Sequence, residues 1–263
     1  MRYCKYQTAL NAHYAHLEDR GGILHTTAPM APPEEDPTAT ADPHFTPQPL
    51  SALHLLPPVN PTKILCIGRN YRDHATELGN DIPKEPLLFL KPPSSLLAPG
   101  GTILMPTLSP RIDYEGELAI VIGKRCRNLG PEEDVRPYIR GYTIVNDVTA
   151  RDLQKADGQW TRGKGFDTFC PTGPIVSNEI DPVSTPTTVT TRLNGLVRQH
   201  ASTADFIFSI PHLLCYITAA ITLMPGDLIP TGTPAGVGPV QPGDRIEVEI
   251  PGLGILSNQF ATQ

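Results

Sequence analysis

The chain has 263 residues, of which 39% are hydrophobic and 18% are charged, and its formal net charge at pH 7 is −6. This composition suits one large domain, or one domain with a small extension, and excludes a chain that is disordered throughout. The acidic balance argues against a nucleic-acid partner, because such proteins need a broad surface of clustered lysine and arginine.

Neither an export signal nor a membrane segment is predicted. No apolar run approaches the length of a membrane span, and the first residues lack the apolar centre of a signal peptide. The five cysteines are widely spaced and form no C-x-x-C pair, which argues against a disulfide framework and against a thiolate zinc site. We therefore expect a cytoplasmic protein without a membrane partner.

Residues 1–60 are predicted to form a short, proline-rich N-terminal extension. The first 25 residues contain apolar runs that predict a strand pair. Ten prolines then fall between Pro29 and Pro61, in a stretch with almost no apolar periodicity. Such a stretch is typical of an extended, polyproline-like segment. We expect this segment to contribute few contacts to the core.

Residues 61–263 are predicted to form a β-rich globular domain. Strands are predicted, in chain order, at 63–68, 117–123, 142–147, 188–195, 227–232 and 245–250. Helices are predicted at 70–78, at about 148–155 and at 211–223. Because strands and helices do not alternate regularly and no repeat is present, we predict an α+β fold with a rolled sheet.

Two glutamates, Glu115 and Glu117, stand two residues apart in the strand-like run "RIDYEGELAIVIG". Positions i and i+2 of a strand face the same side, so the two carboxylates would lie side by side. In a partly buried place they would repel one another, and a divalent cation would neutralise both. The alternative is a solvent-exposed face, which is the more common explanation for an isolated E-x-E pair.

A third acid, Asp147, ends the strand predicted within "YTIVNDVTARDLQ". If the residues after it turn directly into a helix, Asp147, Arg151 and Gln154 share one helix face. Three carboxylates suit a hard cation, namely Mg²⁺, Mn²⁺ or Ca²⁺, better than zinc. The alternative role for Asp147 is that of a helix N-cap.

A candidate general base lies in "GRNYRDHATELG". His74 and Glu77 are three residues apart in a predicted short helix that Gly79 would close. In this spacing Glu77 can orient the imidazole of His74, as general-base catalysis requires. An ordinary surface pair on a helix is the alternative.

The only tryptophan, Trp160, lies in "GQWTRGKGFDTFCPTGP", which also contains Arg162, Lys164 and several glycines. The composition predicts a mobile active-site loop in which Lys164 reaches a developing enolate or a carboxylate. A solvated loop lysine is the alternative.

A glycine-rich segment, "PTGTPAGVG", spans residues 230–238. It lacks the G-K-[ST] ending of a P-loop. We expect it to present backbone N–H groups and the hydroxyl of Thr231 or Thr233 to a small anion. A plain tight turn is the alternative.

Taken together in chain order, these motifs resemble those of the fumarylacetoacetate hydrolase family over about residues 61–260. The resemblance implies a β-roll catalytic domain that is usually dimeric and that binds one Mg²⁺ or Mn²⁺ per site. It implies metal ligands at Glu115, Glu117 and Asp147, and catalytic roles for His74, Glu77 and Lys164. It also implies substrate contacts at Gln154 and Thr233, with Arg69 and Arg151 beside them. Two departures are Gly165, where the family often has serine, and the proline-rich N-terminal segment.

The resemblance also implies a reaction on a small 2-oxo acid. The expected chemistry is cleavage of a carbon–carbon bond beside a pyruvoyl group, by acylpyruvate hydrolysis or by decarboxylation of oxaloacetate. Tautomerisation or isomerisation of an unsaturated 2-hydroxy diacid is the alternative. A non-catalytic binding or scaffold protein is the contrasting hypothesis, and it ranks lower because the three acids and the His–Glu pair are all present.

Overall fold

The computed structural model describes residues 1–9, 11–77 and 81–263. The strands are β1 (Arg2–Gln7), β2 (Ala12–Asp19), β3 (Leu24–Met30), β4 (His54–Leu56), β5 (Ile64–Gly68), β6 (Leu87–Lys91), β7 (Leu96–Leu97), β8 (Thr102–Met105), β9 (Ile112–Tyr114), β10 (Gly116–Ile122), β11 (Ile139–Asn146), β12 (Thr149–Ala150), β13 (Cys170–Ser177), β14 (Thr188–Leu193), β15 (Leu196–Ser202), β16 (Leu228–Pro230), β17 (Gly238–Pro239), β18 (Arg245–Ile250) and β19 (Gly254–Thr262). The helices are α1 (Arg72–Glu77), α2 (Arg151–Asp157), α3 (Thr161–Lys164) and α4 (Ile210–Ala220).

Three sheets form the described part of the molecule. The largest has eleven strands in the order β3-β2-β1-β13-β11-β10-β16-β5-β6, with β4 paired to β1 and β7 paired to β13. A five-stranded sheet follows the order β15-β14-β18-β19-β8, and a small one follows β12-β9-β17. The β-rich α+β architecture predicted from the sequence is therefore confirmed. None of the described helices is long and apolar enough to span a membrane.

The central strand β10 is apolar from Leu118 to Ile122 because both of its faces are buried. Leu118, Ile120 and Ile122 face one hydrophobic core, whereas Ala119 and Val121 face another. Strand β11 pairs antiparallel on one side of β10, and β16 pairs antiparallel on the other. This placement explains a nearly continuous apolar run, since a strand that is covered on both faces needs no polar alternation.

Gly116, between the two glutamates, lets the five-stranded sheet pack closely over the start of β10. A Cβ atom at this position would lie 2.2 Å from Thr191 Oγ1 and 3.0 Å from a methyl carbon of Val248. No side chain larger than hydrogen fits against these neighbours. The roll of one sheet over the other thus depends on this glycine, and it buries the residues on either side of it.

All six predicted strands and all three predicted helices are present, with shifted ends. The first helix spans Arg72–Glu77, and Gly79, which was expected to close it, lies outside the described residues. The second begins at Arg151 rather than near residue 148. The third spans Ile210–Ala220, where Ser209 caps its start and its apolar residues pack on a core.

The N-terminal residues form three strands instead of the predicted pair, and they extend the main sheet. Strand β1 pairs antiparallel with β13, where Arg2 is opposite Ser177 and Tyr3 is opposite Val176. Strands β2 and β3 continue the sheet outward. The domain boundary at residue 60 stays a prediction. Residues on the two sides of it belong to one sheet, because β1 pairs with β13.

Residues 31–49 of the proline-rich segment belong to none of the named strands or α-helices, and a buried acid helps to anchor them. Asp36 is almost fully buried and accepts hydrogen bonds from Lys5 Nζ, from Tyr14 Oη at 2.8 Å and from Thr38 Oγ1 at 2.7 Å. Ala39 packs in a core cluster nearby. The expectation of few core contacts therefore missed an anchor, because a single buried ion pair leaves no periodic signal in the sequence.

We expect limited proteolysis to cut this segment first. Residues 43–47 are mostly exposed and belong to no strand or helix, so proteinase K should cut there before any bond within the strands. Mass spectrometry of the fragments gives the site. Asp36→Asn removes the negative charge that pairs with Lys5 and should accelerate this cut. Protection of residues 28–49 while the strands are cut would show that the segment is packed down.

Candidate active site

One cavity of about 320 Å³ gathers the predicted site residues. Nine of the ten line it, namely Arg69, His74, Glu115, Glu117, Asp147, Arg151, Gln154, Lys164 and Thr233. The tenth, Glu77, contacts His74 from outside the lining. Residues more than 150 positions apart in the sequence thus converge on one site.

The three predicted metal ligands form a buried cluster. One candidate oxygen from each of Glu115, Glu117 and Asp147 lies within 4.8 Å of the others. Strand pairing produces this convergence, because Gly116 is opposite Asn146 in the β10–β11 ladder. The Asp147 N–H donates to Glu115 O at 2.8 Å, which fixes the two residues side by side. The alternative of a solvent-exposed glutamate pair is therefore wrong.

Asp147 reaches the cluster in a different way from that predicted. It follows β11 directly, and β12 separates it from helix α2. The shared helix face of Asp147, Arg151 and Gln154 is therefore wrong, and so is the N-cap alternative, because Ala150 occupies that position. The three residues come together because the antiparallel pairing of β9 with β12 positions the start of α2 beside the acids.

Lys164 is buried at the centre of the site and is not on a mobile loop. Its Nζ donates to Glu115 Oε2 at 2.8 Å and to Asp147 Oδ2 at 2.6 Å, and the residue is 2% exposed. The solvated-lysine alternative is therefore wrong. A Cβ atom at Gly163 would lie 2.7 Å from Gln154 N, and one at Gly165 would lie 2.4 Å from Thr161 O. The flanking glycines thus serve close packing rather than flexibility.

The charged groups of the cluster shift one another's pKa values. Burial acts to raise the pKa of Glu115, but the nearby charges of Lys164 and Arg151 hold it below its usual value. Burial also acts to lower the pKa of Lys164, and the charges of Asp147 and Glu115 raise it instead. Both groups are therefore charged at neutral pH.

Among the described residues, Glu117 is the one carboxylate of the cluster with no lysine or arginine nitrogen within 4.0 Å. Burial, followed by repulsion from Asp147 and Glu115, raises its pKa well above the usual value. Its Oε2 accepts one hydrogen bond, from the Gly232 N–H at 2.8 Å. Three clustered carboxylates, one of which lacks a positive partner, fit a hard divalent cation such as Mg²⁺ or Mn²⁺.

We expect metal affinity to rise with pH and binding to release a proton. The raised pKa of Glu117 means that the metal-free folded state holds a proton above pH 4.5, where an ordinary glutamic acid loses it. The metal-free protein should therefore lose stability as pH rises through that range, since the unfolded state binds fewer protons. Calorimetric titration with Mn²⁺ in buffers of different ionisation enthalpy measures the proton release. A binding enthalpy that is the same in every buffer would show that no proton is released and would contradict the raised pKa of Glu117.

His74 and Glu77 face one another at the limit of hydrogen-bonding distance. His74 Nδ1 lies 3.4 Å from Glu77 Oε2, and the Gly236 N–H donates to both Glu77 oxygens at 3.1 Å. Burial lowers the pKa of His74, although the charge of Glu115 opposes this effect. The imidazole is therefore neutral near pH 7, which is the form that a general base requires.

Arg151 links Asp113 and Glu115 to Gln154, which also lines the cavity. Its guanidinium donates to Asp113 Oδ2 at 2.9 Å, to Glu115 Oε1 at 2.7 Å and to Gln154 Oε1 at 2.8 Å. It thus orients Glu115 and the amide of Gln154 together. Because Oε1 of Gln154 is the acceptor of this bond, the bond also fixes the direction of the Nε2 amide group.

The 230–238 segment binds a carboxyl group that belongs to the protein itself. The Gly232 N–H donates to Glu117, as described above. The Thr231 hydroxyl donates to Leu118 O at 2.8 Å, and the Thr233 hydroxyl donates to Gly116 O at 3.0 Å. The expected hydroxyl bond to an external anion is therefore not available from these two donors, although Thr233 still lines the cavity.

Arg69 and Trp160 form the outer wall of the cavity. Arg69 has a φ of 56°, which is strained for a residue with a Cβ, and its guanidinium carbon lies 6.0 Å from the Trp160 ring centroid. Trp160 also packs edge-to-face on Phe89, with ring centroids 5.1 Å apart. The wall therefore combines aromatic surface with a positive charge.

Comparison with known proteins identifies the family. The sequence profile of the fumarylacetoacetate (FAA) hydrolase C-terminal domain matches residues 63–261. The chain belongs to the fumarylacetoacetate hydrolase family. Family members of known name include the oxaloacetate tautomerase YisK of Bacillus subtilis (strain 168), which is 44% identical over 225 residues, covering 80% of this chain and 75% of that protein.

Two further family members are similar over most of their length. A mitochondrial oxaloacetate tautomerase of Arabidopsis thaliana is 46% identical over 196 residues, covering 73% of this chain and 87% of that protein. The crystal structure of 2-hydroxyhepta-2,4-diene-1,7-dioate isomerase from Mycobacterium marinum superimposes with a TM-score of 0.87 at 38% identity, covering 100% of this chain and 99% of that one. The likeness of fold therefore includes the N-terminal extension.

The surroundings of the three acids contain residues that the sequence analysis missed. Asp113 is fully buried and pairs with Arg111 and Arg151, and Lys91 is fully buried beside Asp147. Asp113 lies two residues before Glu115, so the alternation rule that selected the glutamates would also have selected it. Lys91 is a lone charge at the end of the apolar run "LLFLK", which was the available signal.

Proposed function

We propose that this family member catalyses metal-assisted reactions of 2-oxo acids that pass through an enolate. The observation that carries the proposal is the ammonium of Lys164, which is buried between Glu115 and Asp147 at the cavity floor. A bound Mg²⁺ or Mn²⁺, or Ca²⁺ under crystallisation conditions, would be held by Glu115, Glu117 and Asp147 and would polarise the 2-oxo carbonyl as a Lewis acid.

In this proposal Lys164 stabilises negative charge on the substrate. Its position is fixed by two carboxylates and by the short helix α3, and it lies 4.9 Å from the Phe89 ring centroid in a largely dry setting. A preorganised cation at a developing oxyanion acts mainly in the transition state. Lys164 would therefore favour the enolate over the bound 2-oxo acid.

His74 would move a proton within the same cavity. Its neutral imidazole can accept a proton from a water molecule or from the carbon next to the 2-oxo group, while Glu77 stabilises the imidazolium that forms. Gly236 holds Glu77 in place for this role. Water activation leads to hydrolysis of an acylpyruvate, and decarboxylation of oxaloacetate needs no activated water.

Tautomerisation or isomerisation is the second candidate, and the relatives favour it. Two of those named are oxaloacetate tautomerases, and a third is a 2-hydroxydienedioate isomerase. Proton transfer by His74 at carbon, followed by collapse of the enolate, would suffice for such a reaction. The same residues therefore serve both candidates, and only the substrate decides between them.

The outer wall of the cavity favours a dicarboxylate. Arg69 and Lys155 line the cavity, and neither lies within 4.0 Å of an acidic side chain among the described residues. The substrates named for the relatives, oxaloacetate and 2-hydroxyhepta-2,4-diene-1,7-dioate, carry a second carboxylate. We infer that Arg69 meets such a group, while Gln154 and Thr233 contact the body of the substrate.

A substrate panel tests the proposal. Acylpyruvates, oxaloacetate and hydroxymuconate-type diacids are each supplied with Mg²⁺ or Mn²⁺, and the products are identified by NMR. We expect turnover of at least one 2-oxo acid by the wild type and none by Glu117→Ala. A metal-loaded wild type that leaves every compound unchanged would argue against the enzyme and for a binding protein.

We also infer a cytoplasmic homodimer. All five cysteines are free thiols, as a reducing compartment allows, and family resemblance implies the dimer. Light scattering should give about twice the chain mass of 28.5 kDa.

A further inference from the structure

Lys91 is a buried lysine that faces the site without lining the cavity. It ends β6, the outermost strand on its side of the main sheet, and it is 1% exposed. An ammonium group is costly to bury unless every proton finds an acceptor. A lysine in this position therefore has a specific set of partners.

The Lys91 ammonium uses its three protons on three acceptors. Nζ donates to Asp147 Oδ1 at 2.7 Å, to Val148 O at 3.3 Å and to the main-chain oxygen of Lys164. An ammonium has three donors and no acceptor, so none is left for a substrate. Lys91 therefore does not act on the reacting atoms.

The bond to Asp147 determines which oxygen this acid presents. Lys91 engages Oδ1, whereas Oδ2 points toward the cluster, where it accepts from Lys164 Nζ at 2.6 Å. The carboxylate is thereby held in one orientation and offers a single oxygen to a cation. The bond to Lys164 O fixes the backbone of the residue that carries the second ammonium.

We propose that Lys91 is a positioning residue that aligns Asp147 as a one-oxygen metal ligand and sets its distance to Lys164. The inference rests on the metal site of the proposed function, but not on which reaction occurs there. Partners that orient metal ligands typically contribute about 10- to 100-fold to metal affinity.

The sign of the effect separates positioning from simple electrostatics. Lys91→Met keeps the length of the side chain and removes its charge and donors. If Lys91 acted only as a nearby positive charge, its loss would strengthen cation binding, because like charges repel. If it orients Asp147, its loss weakens binding. We expect Mn²⁺ binding by Lys91→Met to be about 10- to 100-fold weaker than that of the wild type.

Lys5→Met is the matched control. Lys5 also pairs with a buried aspartate, Asp36, with side chains 11% and 0% exposed, but this pair lies in the N-terminal strands away from the cavity. We expect Lys5→Met to lose thermal stability while keeping wild-type Mn²⁺ affinity. The two variants together separate loss of a buried ion pair from loss of ligand orientation.

The test is a calorimetric titration of the metal-free proteins with Mn²⁺, alongside thermal unfolding. It measures whether Lys91→Met weakens metal binding. Equal or tighter Mn²⁺ binding by Lys91→Met would overturn the proposal. If Lys91→Met does not fold, Lys91→Gln, which keeps two donors, takes its place with the same criterion. A wild type that binds no Mn²⁺ would instead refute the metal site, so the two failures are distinguishable.

Discussion

Lys164→Met should lower kcat by roughly 10²- to 10³-fold on the best substrate of the panel. The physical reason is that the Lys164 ammonium is fixed by Glu115 and Asp147 and is 2% exposed, so solvent screens its charge little when an oxyanion develops beside it. KM should change much less, because the 2-oxo acid carries less charge at this oxygen than the enolate does. Steady-state kinetics with saturating Mn²⁺ measure both constants.

Arg162→Met is the control for Lys164→Met. It lies on the same short helix, pairs with Asp157 and has a side chain that is 58% exposed. Such an exposed ion pair contributes little, so its loss should leave kcat nearly unchanged. Lys164→Arg should restore little of the activity, since a planar guanidinium group cannot replace a compact ammonium group in a close-packed position. Near-normal kcat/KM in Lys164→Met would show that the lysine only neutralises the acids.

Metal affinity should respond to Lys164→Met in the opposite direction from activity. The Lys164 ammonium bridges two of the three candidate ligands. Removing it leaves Glu115 paired with Arg151 alone and Asp147 paired with Lys91 alone, so the cluster carries one positive charge fewer. We expect Mn²⁺ to bind at least as tightly as in the wild type, and the metal-free variant to be less stable. The split between activity and metal affinity distinguishes a catalytic cation from a structural one.

His74→Ala should reduce acylpyruvate hydrolysis by about 10²- to 10⁴-fold, the usual range for a lost general base. Decarboxylation of oxaloacetate should fall less, because no water is activated. Tautomerisation should fall as strongly as hydrolysis, since the imidazole moves the proton in both. Glu77→Ala should show the same order of effects with smaller magnitude, because it acts through His74.

His212→Ala provides the matched control for His74→Ala. His212 is exposed on α4, where its ring stacks on Phe208, and it is remote from the cavity lining. It should leave all rates unchanged. If hydrolysis, decarboxylation and tautomerisation fall equally in His74→Ala, the His–Glu pair organises helix α1 rather than transferring protons.

The elements of this fold could be predicted wherever burial leaves a periodic or continuous apolar signal. Strand β10 is such a case, because its two faces pack into two cores and every position from Leu118 to Ile122 is apolar. The acids at its start were predicted to lie side by side because the two-residue period of a strand is independent of its partners, and the structure places them in one buried cluster. The single strand predicted through both glutamates is interrupted, because Glu115 lies between β9 and β10.

The environment of Lys164 could not be predicted in the same way. Glycine on either side indicates backbone freedom in a sequence, whereas here both glycines permit close contact with Gln154 and Thr161. The contacts of Asp147 were also misassigned, because they depend on the β10–β11 register and not on helical spacing. Tertiary pairing decides both cases, and no local pattern encodes it.

The most direct test of the central claim is a Mn²⁺ titration of metal-free wild type and Glu117→Gln, with activity measured in the same samples. Glu117→Gln keeps the shape of the side chain and the bond from Gly232, but it removes the carboxylate that lacks a positive partner. We expect one Mn²⁺ per chain and metal-dependent turnover in the wild type, and loss of both in the variant. Full turnover by metal-free Glu117→Gln would contradict the account.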